Sequence, residues 1–176
     1  MSAIVIDTNV LLVANGLAPQ MEDPCRLECL SRLENARRSE SVVMDRQNLI
    51  LDEYHNKLDP NQRPPGPGDA FLRHLLQNMG NAKHVAQVDL TPINREKTDF
   101  REFPDDQSLR DEFDPSDRKF VAASNTHPQK PHIVEAADSK WLNWELLLRA
   151  HGIQLEILCR EKLETVHARK RKRTRK

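Results

Sequence analysis

The chain is expected to fold as an α/β protein, a three-layer α/β/α sandwich around a mainly parallel central sheet. Three observations predict this. Short apolar runs at Ala3–Ile6, Ser41–Met44 and His132–Ala137 read as strands buried within a sheet rather than as alternating edge strands. Helically spaced segments separate them, and strands that alternate with helices imply parallel pairing through crossover helices. The length, 176 residues, suits one domain with its own hydrophobic core.

The elements follow in order. Asp7-Thr8-Asn9 ends the first strand, and Val10–Leu17 begins a helix. Cys25–Arg38 carries Leu27, Leu30 and Leu33 at three-residue spacing among Arg and Glu, the pattern of an amphipathic helix. After the Ser41–Met44 strand, Leu49, Ile50, Leu51 and Leu58 share a helix with Glu53 and Tyr54. The segment Asp59–Gly68 has four prolines and two glycines and reads as a loop. Phe71–Met79 resumes as a helix and His84–Leu90 as a strand. Thr91–Phe113 is highly charged with little periodicity, which predicts surface loop with some helix. Asp114 is placed to cap a helix from Pro115 to Ser124, with Pro at its first position. Trp141–Ala150 is a helix with an apolar face that Gly152 can end, and Ile153–Leu158 is the last strand.

Composition excludes several classes. No apolar run approaches the ~20 residues of a membrane span, and Met1–Val5 shows no basic leader region. The three cysteines, Cys25, Cys29 and Cys159, are too few and too odd for a disulfide scaffold and suit a cytoplasmic protein. Formal charge is zero, with 27 basic and 27 acidic residues, but the balance is uneven. Arg169–Lys176 reads RKRKRTRK, so positions 1–168 hold 20 basic against 27 acidic residues. A run of like charge repels itself and buries nothing, so this tail is expected to be a flexible arm for a polyanion or partner.

In an open parallel sheet, functional groups gather outside the carboxyl ends of the strands. Asp7 closes the first strand and Asp138 the late one, while Glu53 and Asp117 sit on helices that can reach the same edge. Taken singly, each acid has a plainer reading. Asp7 serves as a helix cap, Glu53 beside Asp52 as a solvated face, Asp117 as a first-turn acid facing the helix dipole, and Asp138 as a turn residue. Four carboxylates converging on one pocket need a hard divalent cation, Mg²⁺ or Mn²⁺, able to activate water against a phosphodiester. Other residues carry less. Cys25 and Cys29 lack a second pair at zinc-finger spacing and read as structural thiols; His127 and His132 read as surface imidazoles; Trp141 and Trp144 read as core. No glycine-rich phosphate loop is present.

With Ile4-Val-Ile-Asp7-Thr8-Asn9, Glu53-Tyr54, Asp114-Pro-Ser-Asp117 with Val121–Ser124, and Ile133 to Asp138 in this order, the chain resembles the PIN-domain nucleases. It is most similar to the toxin-type ribonucleases of bacterial toxin–antitoxin pairs, over about residues 3 to 158. The resemblance implies a PIN-like nuclease domain over residues 1–160, followed by the basic tail at 161–176. It implies an endoribonuclease in which Asp7, Glu53, Asp117 and Asp138 hold Mg²⁺ or Mn²⁺, with Thr8 or Asn9 supporting the first acid. It further implies an RNA substrate, an inhibitory antitoxin-like partner or larger defence complex, and favours a homodimer. Arg118, Lys119, Lys140 and the tail residues Arg169, Lys170, Arg171, Lys172 and Arg173 are the candidate RNA-binding cations. The alternatives are a DNA or flap nuclease on the same fold, and a PIN-like module that binds nucleic acid or protein without catalysis.

Overall fold

The computed structural model describes residues 2–174. The order is β1 (Ser2–Ile6), α1 (Thr8–Ala14), α2 (Asp23–Ser39), β2 (Glu40–Asp45), α3 (Leu49–Lys57), α4 (Pro67–Gln77), β3 (Val85–Val88) and α5 (Gln107–Glu112). A 3₁₀ turn at Pro115–Asp117 then runs into α6 (Arg118–Thr126), followed by β4 (Ile133–Glu135), α7 (Trp141–Ala150), β5 (Leu155–Ile157) and α8 (Arg160–Thr174). The five strands form one all-parallel sheet in the order β3-β2-β1-β4-β5, flanked by helices. Ile4–Ile6, the whole of β2 and the whole of β4 are buried, which is why these strands are continuous apolar runs.

The topology positions the site. The chain starts at the sheet centre, builds outward through β2 to β3, then returns to the other side of β1 for β4 and β5. The strand order therefore reverses between β1 and β4, the switch point beside whose carboxyl ends open α/β sheets hold their ligands. Local chemistry fixes the exits there. Asp7 caps α1 by accepting from the Asn9 amide at 2.8 Å. Asp45 ends β2 and accepts from the Leu49 and Ile50 amides, both at 2.9 Å, so its two oxygens are spent on starting α3. Gly68 lets α4 lie against α1, since a Cβ there would come within 2.4 Å of the Leu11 carbonyl oxygen.

The structure corrects several expectations. The inward face of α2 is Cys25, Cys29, Leu33 and Ala36, while Leu27 is 64% exposed, so the leucine spacing marked the wrong stripe. The segment Thr91–Phe113 is largely exposed loop with one helix, α5, as expected, but it is also tied into the core. It folds back through a bridge between Pro92 and Phe100 and buries Phe100, Phe103, Leu109 and Phe113 in the main core. Its charges line the outside while its widely spaced aromatics point in, a pattern with no regular period to read. Cys25 is not a free thiol. It is bonded to Cys159, 134 positions away, and only Cys29 stays reduced.

The basic tail takes helical form through Thr174 as α8. Leu163 anchors it in the interior, Arg160 pairs with Glu145 at 2.7 Å, and Lys162 pairs with Glu22. Arg175 and Lys176 lie outside the described residues. Among the described residues, no helix is long and apolar enough to cross a membrane.

Candidate functional site

Acids stand at both ends of the sheet, under opposite conditions. At the amino end, Arg32 pairs with Glu40 and, at 2.7 Å, with Glu156, which also takes a bond from His132 at 2.8 Å. Partial burial works against ionisation of Glu156, yet His132 and Arg32 draw it down to about 2. At the carboxyl end, at the switch point between β1 and β4, the acids mainly face one another.

Asp7 leaves the end of β1 and is 2% exposed. Burial, the charge of Glu135 and that of Glu53 hold it well above the usual carboxylate range, against the Asn9 amide. Glu135 is the last residue of β4 and fully buried. Its Oε1 accepts from the amides of Ala137 at 2.7 Å and Asp138 at 2.6 Å, while its buried Oε2 takes no bond from an N–H group. Asp7 in its protonated form hydrogen-bonds Glu135, which raises Asp7 and lowers Glu135. Burial raises Glu135 as well, so the pair retains protons that exposed carboxyls would have lost.

Glu53 reaches in from α3, where both of its oxygens are engaged. Oε1 accepts from the Thr8 hydroxyl and Oε2 pairs with Lys119 on α6. Asp117, at the start of α6, is pushed up to about 7 by burial and by the charges of Asp7, Asp114 and Glu53, with Lys119 pulling the other way. Tyr54, one residue after Glu53, is buried and donates its hydroxyl to the Ile6 carbonyl at 2.5 Å. That bond pins the end of β1 to α3 and so sets Asp7 relative to Glu53.

Of the four acids expected from the sequence, Asp7, Glu53 and Asp117 share one electrostatic field. Asp138 acts on Glu135 from the following turn, where its Oδ1 accepts the Lys140 amide at 2.9 Å. Glu135 is the member that sequence reading missed. The signal was the strand boundary: the apolar run stops at Glu135, which is therefore the acid at the end of the strand, and Asp138 lies beyond it. Of the two residues expected to support Asp7, Asn9 does so and Thr8 does not. Thr8 serves Glu53 rather than Asp7, and Asn9 serves Asp7 through its backbone.

The cations near the site are mostly committed. Lys119 neutralises Glu53, and Lys140 pairs with Asp114 at 3.0 Å. Arg118, expected to face RNA, turns inward instead. It donates to the Arg110 carbonyl at 2.6 Å, pairs with Asp99 at 3.4 Å and stacks over Phe103. Aromatic surface from the 91–113 segment draws the guanidinium away from solvent. The basic end of α8 comes closer than an unattached arm would: Lys170 donates to Ser139 at 3.2 Å, next to Asp138. Arg169, Arg171, Lys172 and Arg173 beside it are exposed.

Asp7, Glu53, Asp117, Glu135 and Asp138 are thus linked by charge, with the Lys119 ammonium on Glu53 and that of Lys140 within the field of Asp117 and Asp138. Their oxygen atoms are of the kind a hard divalent cation takes, but among the described residues no three of these carboxylates lie within 4.8 Å of one another. A titration follows. Asp7, Glu135 and Asp117 have raised folded values, whereas the same acids in the unfolded chain ionise near pH 4. Between about pH 4 and 7 the folded state holds more protons, so these groups contribute stability that is lost as pH rises through that window. The divalent-dependent gain in Tm is therefore expected to be small at pH 5 and clear at pH 8. Scanning calorimetry at both pH values, with and without Mn²⁺, measures it; equal gains would remove these acids as ligands. Burial lowers His74 and His127 from the usual imidazole value, and the comparison with and without cation separates their contribution from that of the acids.

The fold and site together define a class: an α/β protein with a set of acids at the switch point of an all-parallel sheet. In comparison with known proteins, the chain matches no family model, no curated protein and no solved structure.

Proposed function

We propose that the protein is a metal-dependent endoribonuclease built as a three-layer PIN-type sandwich. The observation that carries this reading is the set Asp7, Glu53, Asp117, Glu135 and Asp138 at the β1/β4 switch point, where burial and neighbouring negative charge raise Asp7, Asp117 and Glu135 and a bound cation would relieve them. Mg²⁺ or Mn²⁺, once bound there, supplies charge to polarise a scissile phosphate and to acidify a water. The protein's own groups do the rest. Asp7 is oriented by the Asn9 amide, and Glu53 is held by Thr8 and Lys119. Asp138 is half-buried at the switch point and joins the ligand set beside Glu135.

An acidic site repels a phosphate backbone, so affinity must come from cations at its edge. The exposed Arg169, Arg171, Lys172 and Arg173 flank Lys170, which is lodged at Ser139, and they support a polyanionic substrate. Lys140 at the rim adds to them once Asp114 is displaced as its partner. Arg118 is left out of this surface. RNA rather than DNA, inhibition by an antitoxin-like partner or membership of a defence complex, a homodimer and a cytoplasmic setting follow from the resemblance of the acidic motifs. End-labelled single-stranded RNA, single-stranded DNA and branched DNA incubated with Mn²⁺ separate the readings. Cleavage of RNA that stops with EDTA is expected. Cleavage of DNA alone would make it a DNA nuclease on the same site, and cleavage of none, with no Mn²⁺ binding by calorimetry, would leave a binding module.

A further inference from the structure

A second cluster lies apart from the acidic site and does not depend on its reading. Cys25 and Cys29 stand one turn apart on α2, and Cys159 meets them from the turn that leads into α8. All three sulfur atoms lie within 4.8 Å of one another. A disulfide joins Cys25 to Cys159, with their Cα atoms 5.4 Å apart, and Cys29 is a fully buried thiol alongside.

A cross-link needs two sulfurs, and here there are three. Residues four apart on a helix present their side chains on one face, the spacing by which one helix gives two ligands to one ion. Tetrahedral zinc with Zn–S bonds of ~2.3 Å places its sulfurs about 3.8 Å apart, within the spread already present. Cys25 lies in the first turn of the 17-residue helix α2, where the positive end of the helix favours a thiolate. Burial pushes the Cys29 thiol up to about 12, so this sulfur is inert unless a cation takes its proton's place. A cleft of about 370 Å³ opens beside Cys25 and Cys159 and is lined by Glu22, Glu28 and Lys162. Glu28 Oε2 accepts from the Cys159 amide at 3.1 Å, which keeps a carboxylate beside the sulfurs although outside their 4.8 Å group, within a side-chain rotation of the fourth corner.

We propose that the reduced chain binds one Zn²⁺ through the sulfurs of Cys25, Cys29 and Cys159, with Glu28 at the fourth position. The disulfide is then the metal-free, oxidised form of the same site. Opening the Cys25–Cys159 bond takes two electrons and two protons from two molecules of a monothiol such as glutathione, which leave as their own disulfide. Zinc binding then displaces the three thiol protons. The reverse passage releases the ion and requires a disulfide oxidant of the same class. In either form Cys159 stays tied to α2, and with it the start of the basic helix α8.

The full chain, reduced with glutathione and exchanged into degassed buffer, is titrated with Co²⁺ and Zn²⁺, and the same is done after diamide oxidation. One equivalent per reduced chain is expected, with the thiolate-to-cobalt charge-transfer band and tetrahedral visible spectrum of a sulfur-rich site, and none after oxidation. Cys29→Ser should lose about a third of the band intensity and bind at least ~10-fold more weakly. Since Cys29 is buried, Cys159→Ser at the half-buried position repeats the test, and circular dichroism confirms that each variant is folded. Asp7→Asn should bind the soft ion as wild type does. No uptake by the reduced chain, or uptake that survives in both cysteine variants and disappears in Asp7→Asn, would overturn the proposal.

Discussion

On the proposed nuclease function, Asp7→Asn is expected to lower RNA cleavage by on the order of 10³-fold while leaving the fold intact. Both halves follow from the position of Asp7. It stands at the end of β1, buried against Glu135 and within the field of Glu53 and Asp117, so it is the central carboxylate of the set. Asparagine keeps an oxygen for the Asn9 amide and is as good a cap as aspartate, so α1 starts as before. What disappears is a negative charge that the fold holds at a cost when no cation is present. The metal-free variant should therefore melt at or above the temperature of the wild type, and its divalent-dependent gain at pH 8 should shrink. Cleavage of labelled RNA and calorimetry on the same preparations test both. Retained cleavage would take Asp7 out of the site, and a large fall in Tm without metal would mean that its role is structural.

Phe113→Ala will destabilise the protein by about 3–5 kcal/mol, the range for a buried aromatic truncated to alanine. Phe113 is 1% exposed and joins the 91–113 segment to α7. Its ring meets Trp141 edge-on at 5.3 Å, lies 4.0 Å from Trp144 at a tilt, and contacts Phe103 at 5.5 Å. Four aromatic side chains have no smaller arrangement into which they can collapse, so the vacated volume stays largely open. Leu27→Ala is the matching control, because Leu27 is 64% exposed and its loss should change stability by less than ~0.5 kcal/mol. Urea unfolding of both variants gives the comparison. A cost below ~1 kcal/mol for Phe113→Ala would mean that the segment is not part of the cooperative core.

These two residues mark how far sequence could be read. Asp7 was legible because a strand that stops at Asp-Thr-Asn announces both its end and the cap of the next helix within a few residues. Glu53 was reachable through its place beside Tyr54 on an apolar-faced helix, and Asp117 through the Asp114-Pro cap. Phe113 was not legible, since the 91–113 segment buries four widely spaced apolar residues with no period and hides them among charges. Glu135 was hidden differently. An acid inside a buried strand contradicts the burial rule unless a site needs it, so the run was read past it to Asp138.

By itself, the sequence determined the alternation of strand and helix, the acids at the strand ends, and the charge division between body and tail. These are properties of windows a few residues long, in which backbone capping and side-chain period act directly. The strand order that sets β1 beside β4, and so Asp7 beside Glu135, was decided by tertiary structure. So were the inward turn of Arg118 onto Phe103, the docking of Lys170 at Ser139, and the meeting of Cys159 with Cys25 and Cys29. Each joins residues distant in the chain, and such pairs are chosen by how the helices pack on the sheet, a competition among burial energies that no local pattern records.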